Sequence, residues 1–215
     1  MPVSEKPSAQ PPLYQRAQYA RGGLGRWYWD YRDNVALSLV DDAGGRILDL
    51  GCGEGITLEK AVRVFPRSHV SGLDALQENV DICRAHGLSA DLGDACALPL
   101  PSGSLDAVFL MEVIEHLARP EDALRETLRT LKPAGRLVMV FPNDSTFKLA
   151  RLLTLKFREA SYDPGHLRQW TPASAMDALK HLGFEVLFLK SIPFLLWRLS
   201  LHCVVCAAKP AGAAR

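Results

Sequence analysis

The chain has 215 residues, enough for one α/β domain with a complete core and a few additional elements. Its 25 basic and 24 acidic residues nearly cancel, so the composition lacks the basic excess typical of nucleic-acid-binding proteins, and no nucleic-acid partner is expected. No apolar run has membrane-spanning length, and the N-terminus lacks the pattern of a secretory signal. Five scattered cysteines favour reduced thiols and a cytoplasmic protein.

Composition divides the chain into three parts. Residues 1–12 are polar and proline-rich, without an apolar period, and are expected to be disordered. Residues 13–45 are crowded with tyrosine and tryptophan and are expected to be largely helical. Residues 46–210 alternate apolar runs with amphipathic segments, which is typical of an α/β domain, and residues 143–170 interrupt this alternation as an insertion or lid.

A glycine-rich turn follows the first strand of the domain. The apolar run Ile47–Leu50 ends in Gly51-Cys52-Gly53-Glu54-Gly55, and an amphipathic segment then begins at Ile56. Glycine lets a ligand approach the bare backbone, and N–H groups at the start of the helix suit a carboxylate or phosphate. A dinucleotide fingerprint needs its third glycine at position 56, so Ile56 disfavours an NAD-linked oxidoreductase. The alternative is a tight turn that binds no ligand.

Acidic residues occur at the ends of the next two strands. Asp74 closes the second strand about twenty residues after the glycine turn, where a carboxylate can accept hydrogen bonds from ribose hydroxyls. Asp94 lies in the segment Gly93-Asp94-Ala95 after a short third strand. An isolated aspartate in a loop carries little weight, but the position of Asp94 after Asp49 and Asp74 in the chain order makes it more significant.

These elements, in this order, resemble class I S-adenosylmethionine-dependent methyltransferases. The resemblance rests on Asp49 before the glycine turn, on the Gly93-Asp94-Ala95 segment and on Leu131-Lys132-Pro133-Ala134-Gly135 before an apolar strand. It implies a doubly wound, seven-stranded, mostly parallel α/β sheet with an antiparallel last strand. It also implies S-adenosylmethionine as cofactor and a cover formed by residues 13–45, although the aromatics there are equally suited to packing on the sheet edge. The implied cofactor-binding residues are Asp49, Gly51, Gly53, Asp74, Asp94, Ala95 and Met111.

The segment after the fourth strand carries the candidate chemistry. Glu112, Glu115 and His116 lie within five residues at the carboxyl end of a strand, where doubly wound sheets bind ligands. A helical turn starting there would place Glu112 on one face with Glu115 or His116. The pattern resembles the ubiquinone-biosynthesis O-methyltransferases, which implies Glu112, Glu115 and His116 as ligands of Mg²⁺, or Glu112 and His116 as catalytic groups with His116 as the base. Metal-independent relatives share the Glu-His pair, so a pocket-shaping role is the alternative.

His166 is the second candidate base. It ends Asp163-Pro164-Gly165-His166, which resembles a segment near the acceptor in small-molecule methyltransferases, and a neutral imidazole titrates in the useful range. A loop histidine bonded to backbone carbonyls is the alternative.

Two apolar segments favour a lipophilic acceptor. Residues 147–158 combine apolar side chains with four basic ones, which is typical of helices on anionic lipid surfaces, and residues 192–199 add a second apolar stretch. A lid or a dimer surface is the alternative for both. The expected function is therefore O-methylation of a small, lipophilic acceptor by a protein in peripheral contact with a membrane. N- or C-methylation of a natural product or sugar, and a non-catalytic cofactor-binding subunit, stay open, as does the oligomeric state.

Overall fold

The computed structural model describes residues 14–143, 146, 166–194 and 196–212. The strands are β1 (Arg46–Leu50), β2 (His69–Asp74), β3 (Ala90–Leu92), β4 (Leu105–Met111), β5 (Leu131–Pro142), β6 (Glu185–Ile192) and β7 (His202–Ala208). The α-helices are α1 (Tyr14–Ala20), α2 (Gly23–Leu37), α3 (Ile56–Val64), α4 (Gln77–Ala85), α5 (Pro120–Thr130) and α6 (Pro172–His181). Two short 3₁₀ helices are Ile114–His116 and Trp197–Leu199.

The seven strands form one sheet in the order β3-β2-β1-β4-β5-β7-β6. β7 pairs antiparallel with both of its neighbours, whereas the other pairs are parallel. This confirms the predicted seven-stranded, mostly parallel sheet with an antiparallel last strand. The strand order reverses between β1 and β4, and such a switch point opens a crevice at the carboxyl ends of the strands.

Both faces of the sheet are covered, which explains the nearly continuous apolar run of β4. Leu110 packs into the core that contains Trp170, whereas Phe109 packs into the core on the opposite face with Phe65. Successive side chains of a strand point to opposite faces, so a strand buried on both sides needs apolar residues at nearly every position. The centre of the sheet therefore gives the carboxyl edge a rigid support.

The helix boundaries follow local signals in the sequence. The Thr171 side chain accepts the N–H of Ser174, and the Ser174 hydroxyl accepts the N–H of Thr171, so a capping box opens α6 before Pro172. α5 likewise begins with a proline, Pro120. No helix within the described ranges is both long and apolar enough to cross a bilayer. The tail predicted at 1–12, and the insertion predicted at 143–170 except for residues 143, 146 and 166–170, lie outside the described residues.

Helix α2 is attached to the sheet by charged residues that are almost completely buried. Arg32 and Asp33 are 5% and 0% exposed and are bonded to each other at 2.8 Å. Asp33 also pairs with Lys60 of α3 at 2.7 Å, and Arg32 pairs with Glu112 at the end of β4. The helix predicted for the N-terminal segment is thus linked to two other elements by ion pairs.

Replacing Arg32 should be costly, because the Glu112 and Asp33 carboxylates would lose a buried positive partner. Arg32→Ala is expected to lower the free energy of unfolding by about 3 kcal/mol. Arg63→Ala is the matched control, since Arg63 is 71% exposed where it pairs with Glu59, and exposed pairs contribute less than about 1 kcal/mol. Denaturant unfolding measures both, and equal losses would contradict the buried network.

Candidate functional site

The glycine turn adopts a conformation that ordinary residues rarely take. Gly51 has φ +76° and Gly53 has φ +53°, both in the left-handed region. A Cβ on Gly51 would lie 2.5 Å from a methyl of Val113, and one on Gly53 would lie 2.6 Å from Oε1 of Gln15 in α1. The positive φ favours glycine at both positions, and at Gly51 the Val113 side chain leaves no room for a Cβ unless it moves.

Asp74 holds this turn in place. Its Oδ2 accepts the N–H of Gly53 at 2.8 Å, and its Oδ1 accepts from the Leu76 N–H and the Asn79 side-chain amide, each at 3.0 Å. The carboxylate thus connects the end of β2 to the glycine turn and to the start of α4. Recognition of a ribose by Asp74 stays a prediction, and its structural role means that truncating it would also loosen the turn.

Asp94 and Ala95 lie just beyond β3, next to Asp74 at the same edge of the sheet. The Asp94 side chain is exposed and accepts the N–H of Cys96 at 2.8 Å, while Ala95 is 9% exposed. Cofactor binding by Asp94 and Ala95 remains a prediction, as does that by Met111. Met111 ends β4 and is 8% exposed.

The Asp49 carboxylate is the unusual group at this edge. Asp49 is 1% exposed, and neither of its oxygens accepts a hydrogen bond from any residue that the structure describes. Burial, helped by the charges of Asp33 and Asp74, raises the pKa of Asp49 to about 8. Because buried polar groups in folded proteins almost always have partners, two vacant acceptors point to a donor supplied by a ligand.

A cavity separates Asp49 from helices α1 and α2. It is lined by Gln15, Trp29, Arg32, Asp49, Gly51, Cys52, Ile56, Thr57, Met111 and Glu112. On the helix side, the indole N–H of Trp29 is buried and has no acceptor among the described residues. The cavity therefore contains a vacant acceptor, Asp49, and a vacant donor, Trp29. This pair suits a ligand end that carries an ammonium and a carboxylate together.

Glu112 does not lie where the sequence placed it. Its φ of +56° is left-handed, and the 3₁₀ helix starts only at Ile114. Glu112 Oε1 is 2.5 Å from His202 Nε2, and Oε2 is bonded to the Arg32 guanidinium. The expected shared face with Glu115 or His116 is therefore wrong, because the backbone reverses at Glu112 before the helical turn begins.

The partners of Glu112 also determine its chemistry. Burial alone would raise its pKa, but Arg32 and His202 together hold the pKa of Glu112 well below its usual range. A carboxylate only accepts hydrogen bonds, so His202 Nε2–H donates to it, and His202 Nδ1 accepts the Tyr28 hydroxyl at 2.8 Å. Burial lowers the pKa of His202, consistent with a neutral ring. A carboxylate kept ionised in this way is a poor proton acceptor, and a catalytic role for Glu112 stays a prediction.

The two candidate bases do come together. The ring centroids of His116 and His166 are 4.8 Å apart, and Glu115 lies beside them, 2% exposed. One potential ligand atom of each residue lies within 4.8 Å of the other two. The structure therefore groups Glu115, His116 and His166, with His166 in the place that the sequence gave to Glu112.

Sequence reasoning missed Trp29, Arg32 and His202. His202 could have been noticed in the sequence, because a histidine is unusual within an otherwise apolar run such as Leu201 to Ala208. Arg32 and Asp33 are adjacent charges on α2 whose burial could not be read from an amphipathic pattern. The network joins α2, β4 and β7, which are far apart in the chain, so no local motif reports it.

Comparisons with known proteins agree with the fold and the glycine turn. Residues 48–139 match the family described as a methyltransferase domain. A probable S-adenosylmethionine-dependent methyltransferase of Mycolicibacterium smegmatis is 33% identical over 163 residues, covering 74% of this chain and 60% of that protein. A ubiquinone biosynthesis O-methyltransferase of Roseobacter denitrificans is 30% identical over 187 residues, covering 78% of this chain and 75% of that protein.

A crystal structure of an S-adenosylmethionine-dependent methyltransferase from Archaeoglobus fulgidus superposes with a TM-score of 0.69 at 19% identity, covering 92% of this chain and 100% of the other. The chain belongs to the S-adenosylmethionine-dependent methyltransferase family. It spans less than two thirds of the length of the first curated relatives that it matches, including 60% of the Mycolicibacterium protein. These likenesses establish family and fold and leave the acceptor to be argued from the site.

The raised pKa of Asp49 predicts a pH-dependent cost of folding. An aspartate titrates at about 3.9 when unfolded, and at about 8 in the folded chain. Between these values the folded state binds more protons, so stability falls as pH rises through this window. Asp49→Asn removes that loss and is expected to raise the free energy of unfolding more at pH 8 than at pH 5. Denaturant unfolding at both pH values measures this, and an equal change at the two would contradict it.

Proposed function

We propose that the chain transfers the methyl group of S-adenosylmethionine to an oxygen of a small, lipophilic acceptor. The observation that carries this proposal is the cavity at the glycine turn, which is lined by both the Asp49 carboxylate and Trp29, whose indole N–H, like that carboxylate, has no partner among the described residues. A methionine end presents the complementary pair, an ammonium and a carboxylate. Family membership and chemical fit thus support the same cofactor.

Two groups of residues would hold the two ends of the cofactor. Asp49 would accept from its ammonium, Trp29 would donate to its carboxylate, and the bare backbone at Gly51 and Gly53 would let it approach the sheet. The nucleoside would extend along the edge past Asp74, Asp94 and Ala95, with Met111 beneath it. When bound, the cofactor supplies a sulfonium methyl group that is already a good electrophile.

The protein must then align the acceptor oxygen and remove its proton. His116 and His166 are the groups suited to this, because His116 follows the cofactor-lining end of β4 and the His166 ring lies next to the His116 ring. A neutral imidazole nitrogen within hydrogen-bond reach takes the hydroxyl proton as methyl transfer proceeds. The nearby Glu115 carboxylate can favour the imidazolium that results. Glu112 takes no part in this proton transfer.

Exposed apolar side chains support a lipophilic acceptor. Phe194, Leu196 and Leu199 are 58%, 66% and 58% exposed in the connection between β6 and β7. The basic apolar segment 147–158 lies outside the described residues, so this connection alone supplies the structural support for peripheral contact with a lipid surface. Flotation of the intact chain with anionic vesicles tests that contact, and protein left at the bottom of the gradient would contradict it.

The activity itself is tested with labelled S-adenosylmethionine and a lipophilic catechol. The intact chain is expected to yield a methyl ether, and His166→Asn is expected to lower kcat by about 100-fold or more if His166 takes the proton. His181→Asn is the matched control, because His181 is an exposed histidine at the end of α6. Labelled product is quantified by mass spectrometry.

Two results would count against the proposal. Equal rates for His166→Asn and His181→Asn would remove His166 from the proton transfer. Binding of S-adenosylhomocysteine without transfer to any hydroxylated acceptor would leave a cofactor-binding protein in place of the enzyme.

A further inference from the structure

We infer that Glu115, His116 and His166 form a binding site for a transition-metal ion of the Zn²⁺ type, and not for Mg²⁺. Two imidazoles and one carboxylate make up the set that the structure groups together. Imidazole suits zinc, iron, copper and nickel, whereas Mg²⁺ prefers oxygen ligands in a regular octahedral arrangement. The Mg²⁺ set implied by the sequence, with two glutamates, does not fit this arrangement.

The Glu112 carboxylate cannot join Glu115 as a second oxygen ligand without losing its present contacts. Glu112 is bonded to Arg32, which is 5% exposed, and to His202, which is 2% exposed. Moving Glu112 toward Glu115 would leave the buried Arg32 charge without this partner, and breaking a buried pair is strongly destabilising. The fold therefore places His166, and not Glu112, beside Glu115 and His116.

The spacing of the three ligand atoms suits one ion. They lie within 4.8 Å of one another. In a tetrahedral zinc site with bonds of about 2.0–2.1 Å, the ligand atoms lie about 3.4 Å apart, so side-chain rotations that draw the three atoms together by up to about 1.4 Å would bring them into range. Glu115 is buried, His166 is half-buried and His116 is exposed, so the cluster opens toward solvent on one side. Three protein ligands with an open side leave room for water or a substrate oxygen.

His166 is held beside the other two ligands by its neighbours in the chain. The backbone oxygen of Glu115 accepts the N–H groups of Leu167 and Arg168 at 2.9 and 3.3 Å. Arg168 stacks over Trp170, which is 1% exposed. The segment that carries His166 is thus fixed to the same turn that carries Glu115 and His116, and the third ligand comes from a part of the chain fifty residues away.

Binding of the ion can be tested separately from the proposed function. Only the effect of the ion on methyl transfer rests on that function. If methyl transfer occurs here, a bound ion would lower the pKa of the acceptor hydroxyl, and the proton transfer to His116 or His166 described above would then apply only to the metal-free chain. Binding of the ion needs neither cofactor nor acceptor. Failure to bind metal and failure to methylate are therefore distinguishable results.

The experiment is a calorimetric titration of the metal-stripped, intact chain with Zn²⁺, with and without excess Mg²⁺. One ion is expected per chain, with an affinity that excess Mg²⁺ leaves unchanged. His166→Asn is expected to weaken binding by more than the about 10- to 100-fold that loss of an outer-shell partner costs. The visible absorption of bound Co²⁺ provides a second readout that reports nitrogen ligation.

Two control variants make the test specific. His181→Asn removes an exposed histidine elsewhere and should leave the Zn²⁺ affinity unchanged. Glu112→Gln, with its fold checked by circular dichroism, should also leave it unchanged, although a site built on Glu112 would lose affinity. No binding by the unaltered chain, equal binding by His166→Asn, displacement of Zn²⁺ by Mg²⁺, or a loss in Glu112→Gln as large as in His166→Asn would each overturn the inference.

Discussion

The buried ion pair between Arg32 and Glu112 organises the carboxyl edge of the sheet. It joins α2 to the end of β4, and its Arg32 side chain is only 6% exposed, whereas its Glu112 side chain is 33% exposed. Because separating such a pair is expensive, α2 is held beside the glycine turn, where Trp29 and Asp49 line the same cavity. The same pair keeps the Glu112 carboxylate away from Glu115 and His116.

This ion pair separates two groups of side chains at the carboxyl end of β4. Met111 and Glu112 line the cavity that suits a methionine end, whereas Glu115 and His116 lie on the next turn together with His166. The left-handed backbone at Glu112 separates the two groups. A non-glycine residue in this region is strained, and such strain is common where a binding site depends on an unusual backbone. Here the left-handed backbone places Glu112 in the ion-pair network and outside the turn that carries Glu115 and His116.

The fold could be predicted because its signals are local. Apolar runs of strand length, the glycine turn and the Thr171-Pro172 helix start are each read within a few residues, and the structure confirms the resulting sheet. The side-chain networks could not be predicted in the same way. His202 meets Tyr28 and Glu112 from distant parts of the chain.

The Glu112 prediction failed for a similar reason. The prediction that Glu112 shares a face with Glu115 or His116 assumed that all three residues belong to one helical turn. The left-handed φ of Glu112 places it before that turn, which begins at Ile114. His166 could be selected as a candidate base from its segment, but nothing in the sequence indicated that it would meet His116. Local patterns thus selected candidate residues, while tertiary contacts determined which of them lie close together.

The central claim is that the cavity between α2 and the glycine turn binds the amino-acid end of S-adenosylmethionine through Asp49 and Trp29. The most direct measurement compares, by isothermal titration of the intact chain, S-adenosylhomocysteine with 5′-methylthioadenosine, which lacks the amino-acid end. We expect S-adenosylhomocysteine to bind more tightly, and Trp29→Phe to reduce that preference without weakening binding of 5′-methylthioadenosine. Equal affinity for the two ligands would contradict the assignment of the cavity, and binding of neither would contradict cofactor binding by this chain.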